Sequence, residues 1–484
     1  MHATIIFKVL GLLLMLFSAL ANLPPLFVSY LYDDGMATTF IDSFFSIFFV
    51  GLVLWLVFSR SKQELGTRDG FLIVTLFWVV LGTAGSLPFL LSPQIHLSLT
   101  DAVFESLSGL TTTGATVISG LDGLPKSLLF YRQLLQWLGG MGIIVLAMAL
   151  LPMLGIGGMQ LYRAESPGPV KDNKLVPRLA ETAKALWYIY LTLTLTCAAA
   201  YWLVGMDVFD AISHSLATVA IGGFSTHDAS IGYFDSAAVE TVAIVFMFIA
   251  GINFALHFTA WQRRSLRHYL MDPEFVFYAF ILTIVALVTV SVLYFSNVYA
   301  DFGDSLIKGV FQVVSIATTT GFTSADFNSW PLFLPYMLLY AAIIGACAGS
   351  TGGGMKVIRI LLIFKQGFRE VQRLIHPKAV IPIKLGRNPV PDRVIESVWG
   401  FFAVYVMAFM VMLLALLATG IDIITAFSAV GACINNLGPG LENVALTYGA
   451  LPATAKWILC FAMLLGRLEI FTLLVLFTPM FWKR

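Results

Sequence analysis

The chain has 484 residues, of which 59% are hydrophobic and only 11% charged, and its formal net charge is +1. Soluble globular proteins carry roughly 25% charged residues, so this composition excludes a soluble enzyme or binding module and places most of the chain in a bilayer. A net charge so near zero singles out no partner; the placement of the charges is informative instead.

Apolar runs near residues 5–30, 38–59, 71–92, 129–154, 183–204, 237–260, 274–296, 332–363, 395–419 and 454–481 reach the roughly 20 residues a helix needs to cross a hydrocarbon core. They predict an all-α integral membrane protein with about ten transmembrane helices. The first run contains Ala19, Leu20 and Ala21, which resemble a signal-peptidase site. Only Lys8 precedes its core, however, and apolar residues continue through Pro24 and Pro25 to Tyr32, so a retained span is expected. Basic residues cluster in alternate connections: Arg60, Lys62 and Arg68; Arg163, Lys171, Lys174, Arg178 and Lys184; Arg263, Arg264 and Arg267; the stretch from Arg359 to Arg393; and Lys483 with Arg484. The connections between them are acid-rich, with Asp33, Asp34, Asp122, Asp228, Asp235 and Asp326 set against a few bases such as Lys126, Arg132, Lys308 and Lys456. The orientation rule then puts the basic loops and both termini on the cytoplasmic side.

From about residue 70 one unit occurs four times: a span, an outer segment opening near an Asp, a short apolar stretch, a polar loop with glycine, and a second span. The short stretches run DAVFESLSGL, DAISHSLATV, DSLIKGVFQVVSIA and DIITAFSAVGACI, and they lead into TTTGAT, AIGGFST, TTTGFT and NNLGPG. This divides the chain into an N-terminal two-helix segment (1–69) and four pore repeats (70–160, 161–265, 266–390 and 391–484). The interval from Asp to glycine matches in the first two units, Asp101 to Gly114 and Asp210 to Gly223. It is about one helical turn longer in Asp304 to Gly321 and Asp422 to Gly438.

Each short stretch is too short to cross, so it must enter from outside and return, which is tolerated only where protein or water surrounds the backbone. The Asp is expected to cap such a half-helix, whose partially negative C-terminal end then points inward. Four such ends favour a cation. The loops, Thr111, Thr112, Thr113 and Gly114; Ala220, Ile221, Gly222 and Gly223; Thr318, Thr319, Thr320 and Gly321; Asn435, Asn436, Leu437 and Gly438, contain no charged side chain. Backbone and side-chain oxygens remain to contact an ion, as in carbonyl-lined potassium filters. Small residues are ordinary in membrane helices, but that does not account for four occurrences at equivalent places in a repeat.

In the eighth run the apolar pattern breaks at GACAGSTGGGMK, Gly345 to Lys356. Gly352, Gly353 and Gly354 beside Ser350 and Thr351 disfavour a regular helix, so a break within the membrane is expected. A phosphate-binding loop is excluded, because Met355 separates Gly354 from Lys356 and the context is transmembrane. In the tenth run Arg467 is a charge at membrane depth, which normally faces a cavity or a partner; Glu469, two positions on, lies on another helix face. His214 and His257 belong to no catalytic set, no nucleophile has a base in sequence reach, and Cys197, Cys347, Cys433 and Cys460 suggest neither disulfides nor a metal cluster. No enzymatic activity is expected.

Four span, pore-helix, span units with TTTGAT, IGGFST, TTTGFT and NNLGPG loops resemble the Trk/Ktr/HKT superfamily of potassium transporters, and the extra N-terminal helix pair is similar to its bacterial TrkH-type members. The resemblance covers essentially the whole chain. It implies a pseudo-fourfold potassium pore in one chain, a homodimer in the bacterial cytoplasmic (inner) membrane, and glycine loops acting as a selectivity filter. In some plant relatives a serine at the first filter glycine accompanies sodium permeation; Gly114 here implies potassium. The resemblance also implies a mobile gate below the filter (Gly345, Ala348, Gly349, Ser350, Thr351, Gly352, Gly353, Gly354), with Arg467 as a pore-facing positive charge. Lys356 acts in the same region or snorkels to the cytoplasm. A cytosolic TrkA-type regulatory ring would carry the NAD, ATP or ADP, so that this chain binds no cofactor of its own and potassium is its substrate. Lipid is its surroundings and no nucleic-acid partner is expected. The rival is a secondary transporter that couples potassium uptake to protons or sodium; such proteins favour inverted repeats and midplane sites, whereas these four units run in the same sense.

Overall fold

Backbone N–H and C=O groups in a bilayer find no water, so each spanning segment must satisfy its own as a helix. In the computed structural model, which describes residues 3–60, 66–142, 179–331, 333–386 and 388–482, six helices are long and apolar enough to cross a membrane: Ala3–Tyr32, Ala37–Phe58, Arg68–Leu91, Ala183–Leu203, Pro273–Phe295 and Asp392–Leu417. Two more crossings are bent pairs, Ala237–Ala250 with Phe254–Gln262 and Ala453–Arg467 with Phe471–Phe477. The remaining expected spans are represented by Lys126–Trp137 and by Leu334–Ile344, with Val357–Ile375 following it. The rest of the fourth run, to residue 154, lies outside the described residues, as do Lys62, Arg163, Lys171, Lys174, Arg178, Lys483 and Arg484.

The first two helices form a hairpin that closes at Gly11 and Gly51. A Cβ on Gly11 would lie 2.7 Å from the Gly51 carbonyl oxygen, and one on Gly51 would lie 2.8 Å from that of Gly11, so only small residues permit the crossing. Asp34 at the hairpin turn accepts from the Ser127 backbone N–H at 2.8 Å, tying the hairpin to the inner helix of the first unit.

The four re-entrant helices are Leu99–Leu110, Val208–Ala220, Phe302–Ala317 and Ile423–Ile434. Their N-caps differ from expectation in three units. Ser98, Asp207 and Asp301 cap the first three helices, and only in the fourth is the expected Asp422 the cap. Asp101 stands instead at the third helical position, donating its N–H to Ser98 Oγ at 3.2 Å and accepting from the Ser98 hydroxyl at 2.8 Å. Counted from the true cap, Ser98 to Gly114, Asp207 to Gly223 and Asp422 to Gly438 are equal intervals, and only the third unit, from Asp301 to Gly321, is about one turn longer.

Three bases read from sequence as outer-loop charges are braces behind these helices. Arg132 Nε meets Glu105 at 2.8 Å with both side chains buried, Lys308 meets Glu240 at 2.5 Å, and Lys456 meets Asp101 at 2.6 Å. In the Arg132–Glu105 pair, buried on both sides, removing one member strands the other charge at a cost of about 3–5 kcal/mol.

Among the helices that follow the four loops, the sequence predicts a break in the third unit. In the structure all four depart from α-geometry after a similar number of turns. The first becomes a π-helix over Leu138–Gly142. The second bends by 90° between Ala250 and Phe254 and the fourth by 108° between Arg467 and Phe471. The third stops at Ile344 and resumes at Val357, as its glycines predict. At the second bend, Asn253 caps the following helix by accepting from Ala255 N–H at 2.8 Å. The fourth turns through Glu469 and Ile470, both at positive φ.

Candidate functional site

Each glycine loop opens with the same helix-ending geometry. The third residue donates to the carbonyl five positions back: Thr113 to Ser108 at 2.8 Å, Gly222 to Ala217 at 2.9 Å, Thr320 to Ser315 at 2.8 Å and Leu437 to Ala432 at 2.9 Å. This Schellman bond requires a left-handed residue just before the donor, and Thr112, Ile221, Thr319 and Asn436 have φ of 56°, 55°, 70° and 54°. A branched residue there is strained by about 1–3 kcal/mol, sustained here by burial of all four loops. Gly114, Gly223 and Gly321 return to positive φ at the fourth position. Alternation of this kind brings successive carbonyls to one side of the strand, the arrangement a carbonyl-lined ion site requires. Gly438 departs from it, since the following Pro439 favours an extended residue before it.

The loops close into a ring. A Cβ on Gly114 would overlap the Gly222 carbonyl oxygen, and one on Gly223 would overlap that of Thr320. A Cβ on Gly321 would lie 2.7 Å from Pro439 Cδ, and one on Gly438 would lie 2.6 Å from the Gly114 carbonyl oxygen. The strands therefore touch in the order one, two, three, four, one. Outside the ring lies an open cavity lined by all four glycines.

Directly inside the ring is the Gly345–Lys356 segment. Gly353 N–H donates to Thr319 Oγ1 at 2.7 Å, Gly354 N–H to the Asn435 carbonyl at 3.0 Å, and Thr351 Oγ1 to the Val219 carbonyl at 2.9 Å. A Cβ on Gly352 would lie 2.8 Å from the Thr318 carbonyl oxygen. The segment thus presses on units two, three and four. Its own ends meet where Gly345 and Gly354, both at positive φ, pack together. Ala348, Gly349 and Ser350 sit apart from the ring; Ala348 N–H donates to Glu274 at 2.6 Å and the Gly349 carbonyl accepts from Phe254 N–H at 2.9 Å. Lys356 is buried and donates to the Gly352 carbonyl, so it braces the segment from within.

Arg467 reaches the first unit. Its guanidinium donates to the carbonyls of Gly139 and Gly140 at 2.5 and 2.6 Å, to Thr112 Oγ1 at 3.2 Å and to the Thr351 carbonyl at 3.4 Å. Glu469 pairs with Arg359, which also lies over the Phe401 ring. Between them, Arg467 and the Gly345–Lys356 segment bond to loops one, three and four and to Val219 just before loop two.

Sequence reasoning missed Gln136, whose Nε2 donates to the Gly222 carbonyl at 2.6 Å, and Tyr448, whose hydroxyl donates to the Gly438 carbonyl at 2.9 Å. A signal existed for the first: RQLLQWLGG interrupts an apolar run with two glutamines. The second lies in an ordinary outer loop.

His227, outside the spanning helices, bridges the first two units at the mouth of the cavity. Its Nδ1 lies 2.5 Å from Asp122 and its Nε2 3.2 Å from Asp210, and its ring stacks on Tyr233 at 3.5 Å. Burial disfavours the imidazolium, but bonds and charge from Asp210 and Asp122 outweigh this and raise His227 above its ordinary 6.5. The His227 hydrogen bond holds Asp122 low. A histidine raised in the folded state stabilises fully below its unfolded value and loses that contribution as pH rises through the folded value. Thermal unfolding temperature should therefore fall between about pH 6 and pH 8, and H227Q should flatten that slope in scanning fluorimetry. An unchanged slope in H227Q would show that the bridge does not titrate in this range.

Comparison with known proteins agrees with this architecture. The model of the TrkH family, described as cation transport protein, matches residues 36–484. A Trk system potassium uptake protein TrkH from Vibrio parahaemolyticus is 58% identical over 480 residues, covering 99% of each chain, and one from Escherichia coli is 57% identical over the full length of both. The more distant TrkG of Escherichia coli is 41% identical over 482 residues, covering 100% of this chain and 99% of that one. The crystal structure of the potassium transporter TrkH from Vibrio parahaemolyticus superposes with a TM-score of 0.91 at 55% identity, over all of both chains. A family model spanning nearly the whole chain, together with full-length relatives well above half identical, establishes that this multi-pass membrane protein belongs to the TrkH family of cation transport proteins.

Proposed function

We propose that this chain carries potassium ions across the bacterial cytoplasmic membrane through the ring of four glycine loops, as a transporter and not an enzyme. The observation that carries the reading is the ring itself: four loops that share a Schellman ending and a left-handed second residue, free of charged side chains, touch in closed order beneath a cavity open to the outside. Carbonyls converging in such a ring can replace a hydration shell, while four helix C-termini favour a cation. Thr111–Gly114, Ala220–Gly223, Thr318–Gly321 and Asn435–Gly438 form the filter. The fourth loop coordinates least, since Gly438 lacks the positive φ of its three counterparts.

The Gly345–Lys356 segment and Arg467 form the gate. The segment is irregular backbone packed against the inner side of the ring, and irregular backbone at this depth normally lines a conduit. Its opening would be imposed from the cytoplasm, where the basic stretch from Lys365 to Arg393 offers a docking face for a nucleotide-binding regulatory ring. Both termini lie on that side and the chain works as a homodimer. The relatives are named as members of a Trk system, in keeping with a partner.

The decisive experiment is the reversal potential of the purified chain in liposomes under opposed potassium and sodium gradients, repeated with a pH gradient. A value near the potassium equilibrium potential and indifferent to pH is expected. One that follows pH or sodium would replace the channel reading with coupled transport.

A further inference from the structure

Three of the four glycine loops brace themselves through their own side chains. Thr111 and Thr113 hydroxyls lie 2.8 Å apart, as do those of Thr318 and Thr320. In the fourth unit Asn436 Nδ2 donates to the Met463 carbonyl at 3.0 Å and to Thr113 Oγ1 at 3.1 Å. The second loop, Ala220, Ile221, Gly222 and Gly223, has no polar side chain with which to do this.

A side chain from another unit occupies the corresponding place. Gln136, fully buried in the inner helix of the first unit, donates from Nε2 to the Gly222 carbonyl at 2.6 Å and accepts at Oε1 from Phe224 N–H at 3.0 Å. One planar amide thereby holds the backbone on both sides of Gly223, the residue at φ 76°. Gln133, one turn earlier, donates to the Phe224 carbonyl at 3.3 Å. A Cβ on Gly222 would overlap the carboxamide of Gln136. Gly222 is small because Gln136 enters the space that Thr113 and Thr320 fill with their own side chains in units one and three.

We propose that Gln136 is a positioning residue for the second filter strand, supplied by the neighbouring unit in place of the missing threonine, and that potassium-over-sodium selectivity depends on it. The proposal rests on the glycine ring being the selectivity filter. A strand held by two buried hydrogen bonds keeps its carbonyls at a fixed spacing; released, it can close on a smaller ion.

The test is the potassium-to-sodium permeability ratio from reversal potentials of the full-length chain in liposomes, with gel filtration confirming folded protein. Q136A is expected to lower the ratio roughly tenfold, in keeping with the loss of two buried hydrogen bonds. Q136E keeps the volume but turns an acceptor toward the Gly222 carbonyl, so it too should lose selectivity, which a merely space-filling role would not produce. G222T should fail in the wild-type background and regain selectivity in Q136A/G222T, where the threonine finds room. G321A in the third unit serves as the reference. If G321A lowers the ratio while Q136A and Q136E keep the wild-type value, the brace is wrong and the filter reading stands. A Q136A/G222T chain no better than G222T overturns the pairing of the two residues. If G321A leaves the ratio unchanged, the filter reading falls and takes the brace with it.

Discussion

Replacing Gly114 by serine should collapse potassium-over-sodium selectivity while leaving the chain folded. Two effects act together. Gly114 holds φ at 80°, where a side chain costs about 1–3 kcal/mol. The new Cβ would also overlap the Gly222 carbonyl oxygen of the next strand, so two adjacent strands must shift. Each 1.4 kcal/mol of altered discrimination is a factor of about ten, and a ten- to hundredfold fall in the permeability ratio is expected. Gly120 supplies the control. It too sits at positive φ, 75°, but a Cβ there meets nothing within 4 Å. G120A therefore carries backbone strain without touching the ring, and its ratio should equal that of the wild type. Equal ratios in G114S and the wild type would remove the first unit from the filter.

The second large effect is expected at Arg467. Its guanidinium joins the first unit's Gly139 and Gly140 carbonyls and Thr112 hydroxyl to the Thr351 carbonyl of the inner segment. On the gating role proposed for it, R467A removes a positive charge from beside the ring and a clasp from the segment, so basal potassium flux into liposomes without any regulatory partner should rise roughly tenfold, as for a barrier lowered by about 1.4 kcal/mol. R467K separates the two contributions. Lysine keeps the charge but not the forked donors; near-wild-type flux would assign the effect to charge, and flux like R467A would assign it to the clasp. Folded R467A with flux at or below the wild-type level would exclude Arg467 from the gate.

What residue type alone could reveal was local. Hydropathy identified the helices because burial of apolar side chains in lipid is a property of each segment. The four units were legible because glycine and small polar residues recur at one place in a repeat, and the break at Gly345–Lys356 because three successive glycines destabilise any helix. Other breaks left weaker marks. The bend after Ala250 carries a capping asparagine, Asn253, whereas the bend after Arg467 is made by Glu469 and Ile470, residues that seldom adopt positive φ. Its mark in the sequence is the single Gly466, one residue before Arg467, against three successive glycines in the third unit.

By itself, then, the sequence determined a membrane-embedded, predominantly helical chain with four same-sense repeats and a polar loop in each. The tertiary structure decided the rest: the order in which the loops touch, the caps at Ser98, Asp207 and Asp301, the pairing of Arg132, Lys308 and Lys456 with carboxylates, and the partners of Gln136 and Arg467. The physical reason is that most of these contacts end on backbone carbonyls or on residues of other units. Every residue carries a carbonyl, so its type says nothing about which donor will reach it; only packing of one unit against the next brings the two together.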